Sequence, residues 1–160
     1  DYFLAELLMC GDVVKQAMDI LDPLFAAQGG AGRPGRLVIG TVEGDMHDIG
    51  KNMVITMLKG SAYEVFDLGV NVKTEAFIEA VRQHKPHILA LSALLLTTRQ
   101  EMVRVIEALK EAGIRDEVKI IVGGSPVDQE FADRIGADGF GKDAAEAVQV
   151  ANKLVKKQEA

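Results

Sequence analysis

Apolar residues follow two rhythms along this chain, and the change of rhythm separates two parts. Over residues 2–28, Phe3, Leu4, Leu7 and Leu8, then Val13, Val14, Ala17, Met18, Leu21, Leu24 and Phe25, recur at the spacing of a helix. Gly11-Asp12 offers a break that turns this stretch into a helical hairpin. Residues 29–35 (GGAGRPG) read as a linker, rich in Gly with one Pro. Three domain segments follow: 1–28, helical; 29–35, linker; 36–160, the main domain.

From Arg36 onward, short apolar runs alternate with longer amphipathic ones. The runs predict strands at Leu37–Val42, Glu64–Asp67, Ile88–Ser92, Val118–Val122 and Gly139–Phe140. The amphipathic stretches predict helices at Ile49–Leu58, Thr74–Gln83, Arg99–Glu111, Asp128–Ile135 and Ala144–Lys156. The first, third and fourth strands are almost unbroken Val/Ile/Leu, the pattern of a sheet covered by helices on both faces. Successive βα units with right-handed crossovers predict an α/β, flavodoxin-like (Rossmann-like), doubly wound five-stranded parallel sheet of order 2-1-3-4-5. Ligands in such sheets sit beyond the carboxyl ends of the strands, near the switch point. The segments after strands one, three and four are therefore the ones to search.

Composition narrows the partners. The 160 residues suffice for one domain and a small appendage, 48% are apolar, and Trp is absent, so the core is aliphatic. A net charge of −6 disfavours nucleic acid and anionic membrane surfaces. Ile88 to Leu96 is too short to cross a bilayer. The lone Cys10 allows no internal disulfide, which fits a cytoplasmic protein. No secretory signal is visible, and the chain opens without Met in helical sequence, as a piece of a longer protein would.

The loop after strand one reads Glu43-Gly44-Asp45-Met46-His47-Asp48-Ile49-Gly50-Lys51-Asn52. It has neither the Gly-x-Gly-x-x-Gly of a dinucleotide loop nor the Gly-Lys-Ser/Thr of a Walker A loop. Nor has it the Ser/Thr run of a flavin phosphate site. It offers an imidazole flanked by carboxylates. A metal-ligating His usually gives its second ring N–H to a carboxylate, and Asp45 is placed for that role. Gly50 would let a ligand pass close to the backbone. The same residues also read as a solvated surface His, with Asp48 capping the next helix. Zinc needs three or four ligands, and His84, His87 and Cys10 are poorly placed to supply them. A Ser nucleophile fails as well, for Ser92 lacks the Gly-x-Ser-x-Gly turn. Strand three ends in Ser92-Ala93-Leu94-Leu95-Leu96-Thr97-Thr98 and strand four in Val122-Gly123-Gly124. A hydroxyl beside two glycines makes a slot between sheet and helices, although Gly123-Gly124 also reads as an ordinary tight turn.

Asp45-Met46-His47-Asp48-Ile49-Gly50, Ser92-Ala93-Leu94 and Gly123-Gly124, in this order and at these strands, resemble the cobalamin-binding module of B12-dependent methyltransferases. The likeness is strongest to the corrinoid proteins of one-carbon methyl-transfer systems, and the cobalamin domain of methionine synthase is similar. The resemblance covers essentially the whole chain, with residues 1–28 as the last helices of a helical cap. It implies a cobalamin held base-off/His-on, with His47 as the cobalt ligand in place of the cofactor's own base. Asp45 would hold the imidazole and Thr98 would extend the relay. The loop residues Gly44, Met46, Asp48, Ile49 and Gly50, together with Leu94, would line the site. Ser92 would bond the displaced base in a slot past Gly123 and Gly124, and Phe140, Gly141 and Ala144 would line its far end. Leu96 departs from the hydroxyl residue often found there, and only part of the cap is present.

By the same resemblance the protein would be a methyl carrier rather than a complete enzyme. A donor-specific methyltransferase would load it, an acceptor methyltransferase would unload it, and a reductive activation protein would be a third partner. Neither nucleic acid nor membrane enters this reading. The alternatives are a cobalamin module of a larger enzyme, such as methionine synthase or a mutase, and a B12-sensing regulatory module.

Overall fold

The computed structural model describes residues 34–158 and, upstream, Met9, Val13, Gln16 and Ile20, which are helical and exposed. Phe3, Leu4, Leu7, Cys10 and residues 29–33 lie outside the described residues.

Five parallel strands form one sheet: β1 (Arg36–Thr41), β2 (Glu64–Asp67), β3 (Ile88–Ser92), β4 (Lys119–Gly123) and β5 (Gly139–Gly141). Their order is β2-β1-β3-β4-β5, so the switch point falls between β1 and β3, as the alternation of runs predicts. The intervening helices are α1 (Ile49–Gly60), α2 (Thr74–His84), α3 (Gln100–Glu111), α4 (Gln129–Ile135) and α5 (Ala144–Gln158).

Both faces of the central strands are apolar because both are covered. Val38, Leu89, Leu91, Ile120 and Val122 pack with Phe77, Met102, Ile106 and Phe131 of α2, α3 and α4. Leu37, Ile39, Ile88, Ala90 and Ile121 pack with Leu58 of α1 and with Val148, Ala151 and Val155 of α5. Each large side chain removed from water here contributes about 1.5–3 kcal/mol. Gly40 lets α2 sit close to β1, for a Cβ there would lie 2.8 Å from the Phe77 ring.

Strand ends differ slightly from the sequence expectation. Val42 pairs only as an isolated bridge to Val72. Strand β4 runs one residue later than its apolar run, because Gly123 pairs with Ser92 and Lys119 with Ile88. Pairing follows backbone partners, whereas the apolar run marks only burial.

Candidate functional site

Strand register brings small residues into line at the carboxyl edge of the sheet. Thr41 pairs with Ser92, Ser92 with Gly123, and Gly123 with Gly141. Their positions alternate with those of the α2–α4 cluster, so this row faces α1 and α5. The His47 loop leaves β1 at one end of that row.

The loop is held from several sides. Gly44 adopts φ 78°, a left-handed conformation that suits glycine. Its N–H donates to Asn71 Oδ1 at 2.8 Å, and the Asn71 N–H donates to the Asp45 carbonyl at 2.9 Å. Thr41 Oγ1 donates to the His47 carbonyl at 2.9 Å. Asn71 was not singled out from the sequence. Its own left-handed conformation (φ 51°) in the loop after β2 is its only mark, and neighbours alone do not reveal it.

Asp45 is the centre of the site and is 0% exposed. Its Oδ1 lies 2.6 Å from His47 Nδ1 and accepts the His47 N–H at 3.1 Å. Its Oδ2 accepts the Leu94 N–H at 2.7 Å and the Thr98 hydroxyl at 2.6 Å. Burial pushes the Asp45 carboxyl up. The hydrogen bonds from Thr98, the Leu94 amide, and the His47 ring and amide outweigh it and hold the group well below the usual carboxylate range. Asp45 is therefore ionised and holds the ring through Nδ1, and Nε2 is the ring nitrogen without a hydrogen-bond partner among the described residues. The His47 side chain is 51% exposed, which presents that nitrogen outward.

The other expected residues fall on both sides of this relay. Met46, Asp48, Ile49, Gly50 and Leu94 are exposed around it. Ser92, in the small-residue row, has no hydrogen bond from its hydroxyl to any described residue. Gly123, Gly124 and Gly141 have internal reasons to be glycine. A Cβ on Gly123 would lie 2.9 Å from the Gly141 carbonyl oxygen, and one on Gly141 would lie 2.9 Å from Ala147 of α5. Gly124, at φ 121°, would drive a Cβ into the Ala93 carbonyl. Packing within the chain is thus by itself a reason for their smallness. Phe140 turns its ring into the cluster under α2–α4, away from Ala144 at the start of α5. Asp48 stands at the N-cap position of α1, but its carboxylate caps no backbone N–H.

Gly50 is the exception. It sits in the first turn of α1, and a Cβ there would meet nothing within 4 Å. Helical glycine is costly, and no contact with the described residues requires this one.

Among the described residues, no group of three or more His, Cys, Asp or Glu could hold a metal ion. The described residues thus hold one half-exposed imidazole at this edge and no ready-made metal shell. A doubly wound parallel sheet with such a loop at its switch point belongs to the class of open α/β domains that bind ligands beyond the carboxyl ends of their strands.

The comparisons resolve that class. The chain belongs to the B12-binding domain family, whose model ("B12 binding domain") matches residues 35–149. A corrinoid protein of Desulfitobacterium hafniense (strain Y51) is 42% identical over 160 residues, covering 98% of this chain and 74% of that protein. Dimethylamine corrinoid protein 3 of Methanosarcina mazei is 42% identical over 153 residues, covering 96% of this chain and 92% of that one. Among solved structures, the methanol:cobalamin methyltransferase complex MtaBC of Methanosarcina barkeri matches with a TM-score of 0.78 and 32% identity. That match covers 97% of this chain and 58% of the other. Among the described residues, no helix is long and apolar enough to cross a membrane.

Proposed function

We propose that this protein is a methyl-carrying corrinoid protein in which His47 Nε2 ligates cobalt. The observation that carries the reading is the 2.6 Å contact between Asp45 Oδ1 and His47 Nδ1, which leaves Nε2 free on a half-exposed ring. When bound, cobalamin would supply a cobalt centre able to accept and release a methyl group. The protein's own part is ligation, orientation and shelter.

In this reading Asp45 fixes the His47 tautomer and the ring plane, and Thr98 holds Asp45 in turn. Gly50 leaves the first turn of α1 bare, so a displaced nucleotide arm would have room close to the backbone. That arm would continue past Ser92, whose hydroxyl has no partner among the described residues and would meet the base, and along the backbone of Gly123, Gly124 and Gly141 towards Ala144. Phe140 contributes only its backbone. Gly44 shapes the loop, and Met46, Ile49 and Leu94 give an apolar rim suited to the edge of a corrin. Asp48 follows the ligand in the loop.

Residues 1–28 would be the last helices of a cap, 29–35 its linker and 36–160 the cobalamin-binding domain. The partners would be a donor-specific methyltransferase, an acceptor methyltransferase and a reductive activation protein. The relatives support the first of these, since one is named for dimethylamine and another was solved in a methyltransferase complex. A cytoplasmic setting accords with the single cysteine.

The decisive experiment is reconstitution with hydroxocobalamin, reduction to cobalt(II) and electron paramagnetic resonance. Nitrogen superhyperfine splitting is expected from the wild type, and its loss from His47→Ala. Splitting retained in the variant would refute the ligand assignment.

A further inference from the structure

The first turn of α1 breaks three rules that stabilise helix starts, and the breaks coincide. The turn contains no acidic residue and instead places a lysine, Lys51, near the positive end of the helix dipole. The Lys51 side chain is 2% exposed, an unfavourable place for an ammonium. Asp48 stands at the N-cap position without capping, whereas Asp128 at the start of α4 accepts the Phe131 N–H at 2.7 Å in the ordinary way. Local rules that fail together mark a place where something other than local stability is served.

The hydrogen bonds show what replaces the cap. Lys51 Nζ donates to both oxygens of Asp67 at 2.8 Å and to Asn52 Oδ1 at 2.9 Å. Asn52 Nδ2 donates to Asp48 Oδ2 at 3.1 Å, and the Asn52 N–H to the Asp48 carbonyl at 2.8 Å. Asp67 is the last residue of β2, and it also accepts the Gly69 N–H at 2.9 Å. An unbroken chain thus runs from the edge strand through Lys51 and Asn52 to Asp48, which follows His47 directly. Thr41 and Asn71 pin the loop up to and including His47. The Lys51 chain pins what comes after it.

We infer that Lys51, anchored by Asp67 and acting through Asn52, is a positioning residue that fixes how His47 presents its ring to a metal. Its burial keeps the ammonium from touching a ligand over the loop, so its action is indirect. A ligand carried on a loop is only as precise as the bonds that hold the loop on both sides. The inference rests on the proposed role of His47 as cobalt ligand, and the experiment separates the two.

Asn52→Ala cuts the chain at an exposed residue and leaves the Lys51–Asp67 pair intact, so the variant should fold. Lys51→Met removes the charge and keeps the stem. In cobalamin-reconstituted protein, both variants should retain cofactor, while the fraction of cobalt(II) showing nitrogen splitting falls at least threefold. In the cofactor-free protein, hydrogen exchange at the His47 amide should quicken at least tenfold, with Val38 and Leu89 unchanged. Wild-type splitting and wild-type exchange in Asn52→Ala would overturn the positioning role. If the wild type itself shows no nitrogen splitting, the ligand reading fails instead, and the exchange rates alone decide whether Lys51 holds the loop.

Discussion

At the scale of single residues, Asp45 carries the most weight. It keeps a negative charge at zero exposure with no Lys or Arg paired to it among the described residues, and four hydrogen-bond donors replace the lost water. Because its folded pKa is depressed, the unfolded chain binds a proton more readily at low pH. Asp45 therefore contributes stability above the ordinary carboxylate value of about 4, and that stability is lost as pH falls below it. In denaturant titrations from pH 7 to pH 3, wild-type stability should decline more steeply than that of Asp45→Asn. At pH 7 the variant should be weaker by on the order of 2–3 kcal/mol, since charged hydrogen bonds are lost. Equal slopes would show that Asp45 is not the ionised hub of the loop. The pairing of Asp45 with His47 was legible because it spans two residues. The Leu94 amide was not, since a backbone donor has no signature in a side-chain sequence. Lys51 and Asp67 meet only once β1 and β2 are paired, and nothing in the motif names Asp67.

At the scale of elements, glycines that look alike in the sequence separate into two kinds. Gly124 is bound to its backbone conformation and to Ala93, whereas Gly50 in α1 has open space where a side chain would begin. Gly124→Ala should destabilise the cofactor-free protein by at least about 2 kcal/mol, as strain at a special φ does. Gly50→Ala should leave it unchanged or raise its stability by up to about 1 kcal/mol, the usual gain in a helix. Gly50→Leu should fold equally well yet lose reconstituted cofactor on desalting. Thermal melts and absorbance after desalting check all three, and full retention by Gly50→Leu would remove the argument from empty space. The strands and helices themselves were legible because unbroken apolar runs and stripes of period 3.6 report burial directly. The direction of Phe140 was not. In so short a strand the alternation is set by α5 packing on Gly139 and Gly141, which no run of three residues displays.

At the scale of the whole molecule, exposed hydrophobics are gathered rather than scattered. Within residues 34–158, the large apolar side chains left exposed are Met46, Ile49, Met53, Met57, Leu94, Leu95 and Leu96. All of them lie on the two segments that flank Asp45, namely the His47 loop with α1 and the turn from β3 to α3. A surface of net charge −6 has ample polar residues to cover this edge, so its apolarity marks a contact. The residues do not lie equally near His47. At 1.5 Å per residue, Met53 and Met57 stand about 6 and 12 Å down α1 from Ile49. A corrin seated over His47 would cover Met46, Ile49 and Leu94, but it would leave the lower stripe of α1 bare. Cofactor-free protein should therefore bind a fluorescent hydrophobic dye at this edge. Reconstitution with cobalamin should lower the fluorescence at least twofold without abolishing it. The remainder should fall further in a Met53→Lys, Met57→Lys double variant, which should keep its cofactor because both positions lie down α1 from Ile49. Dye binding indifferent to cobalamin would place the corrin elsewhere, and cofactor lost from the double variant would mean that it extends along α1 as well.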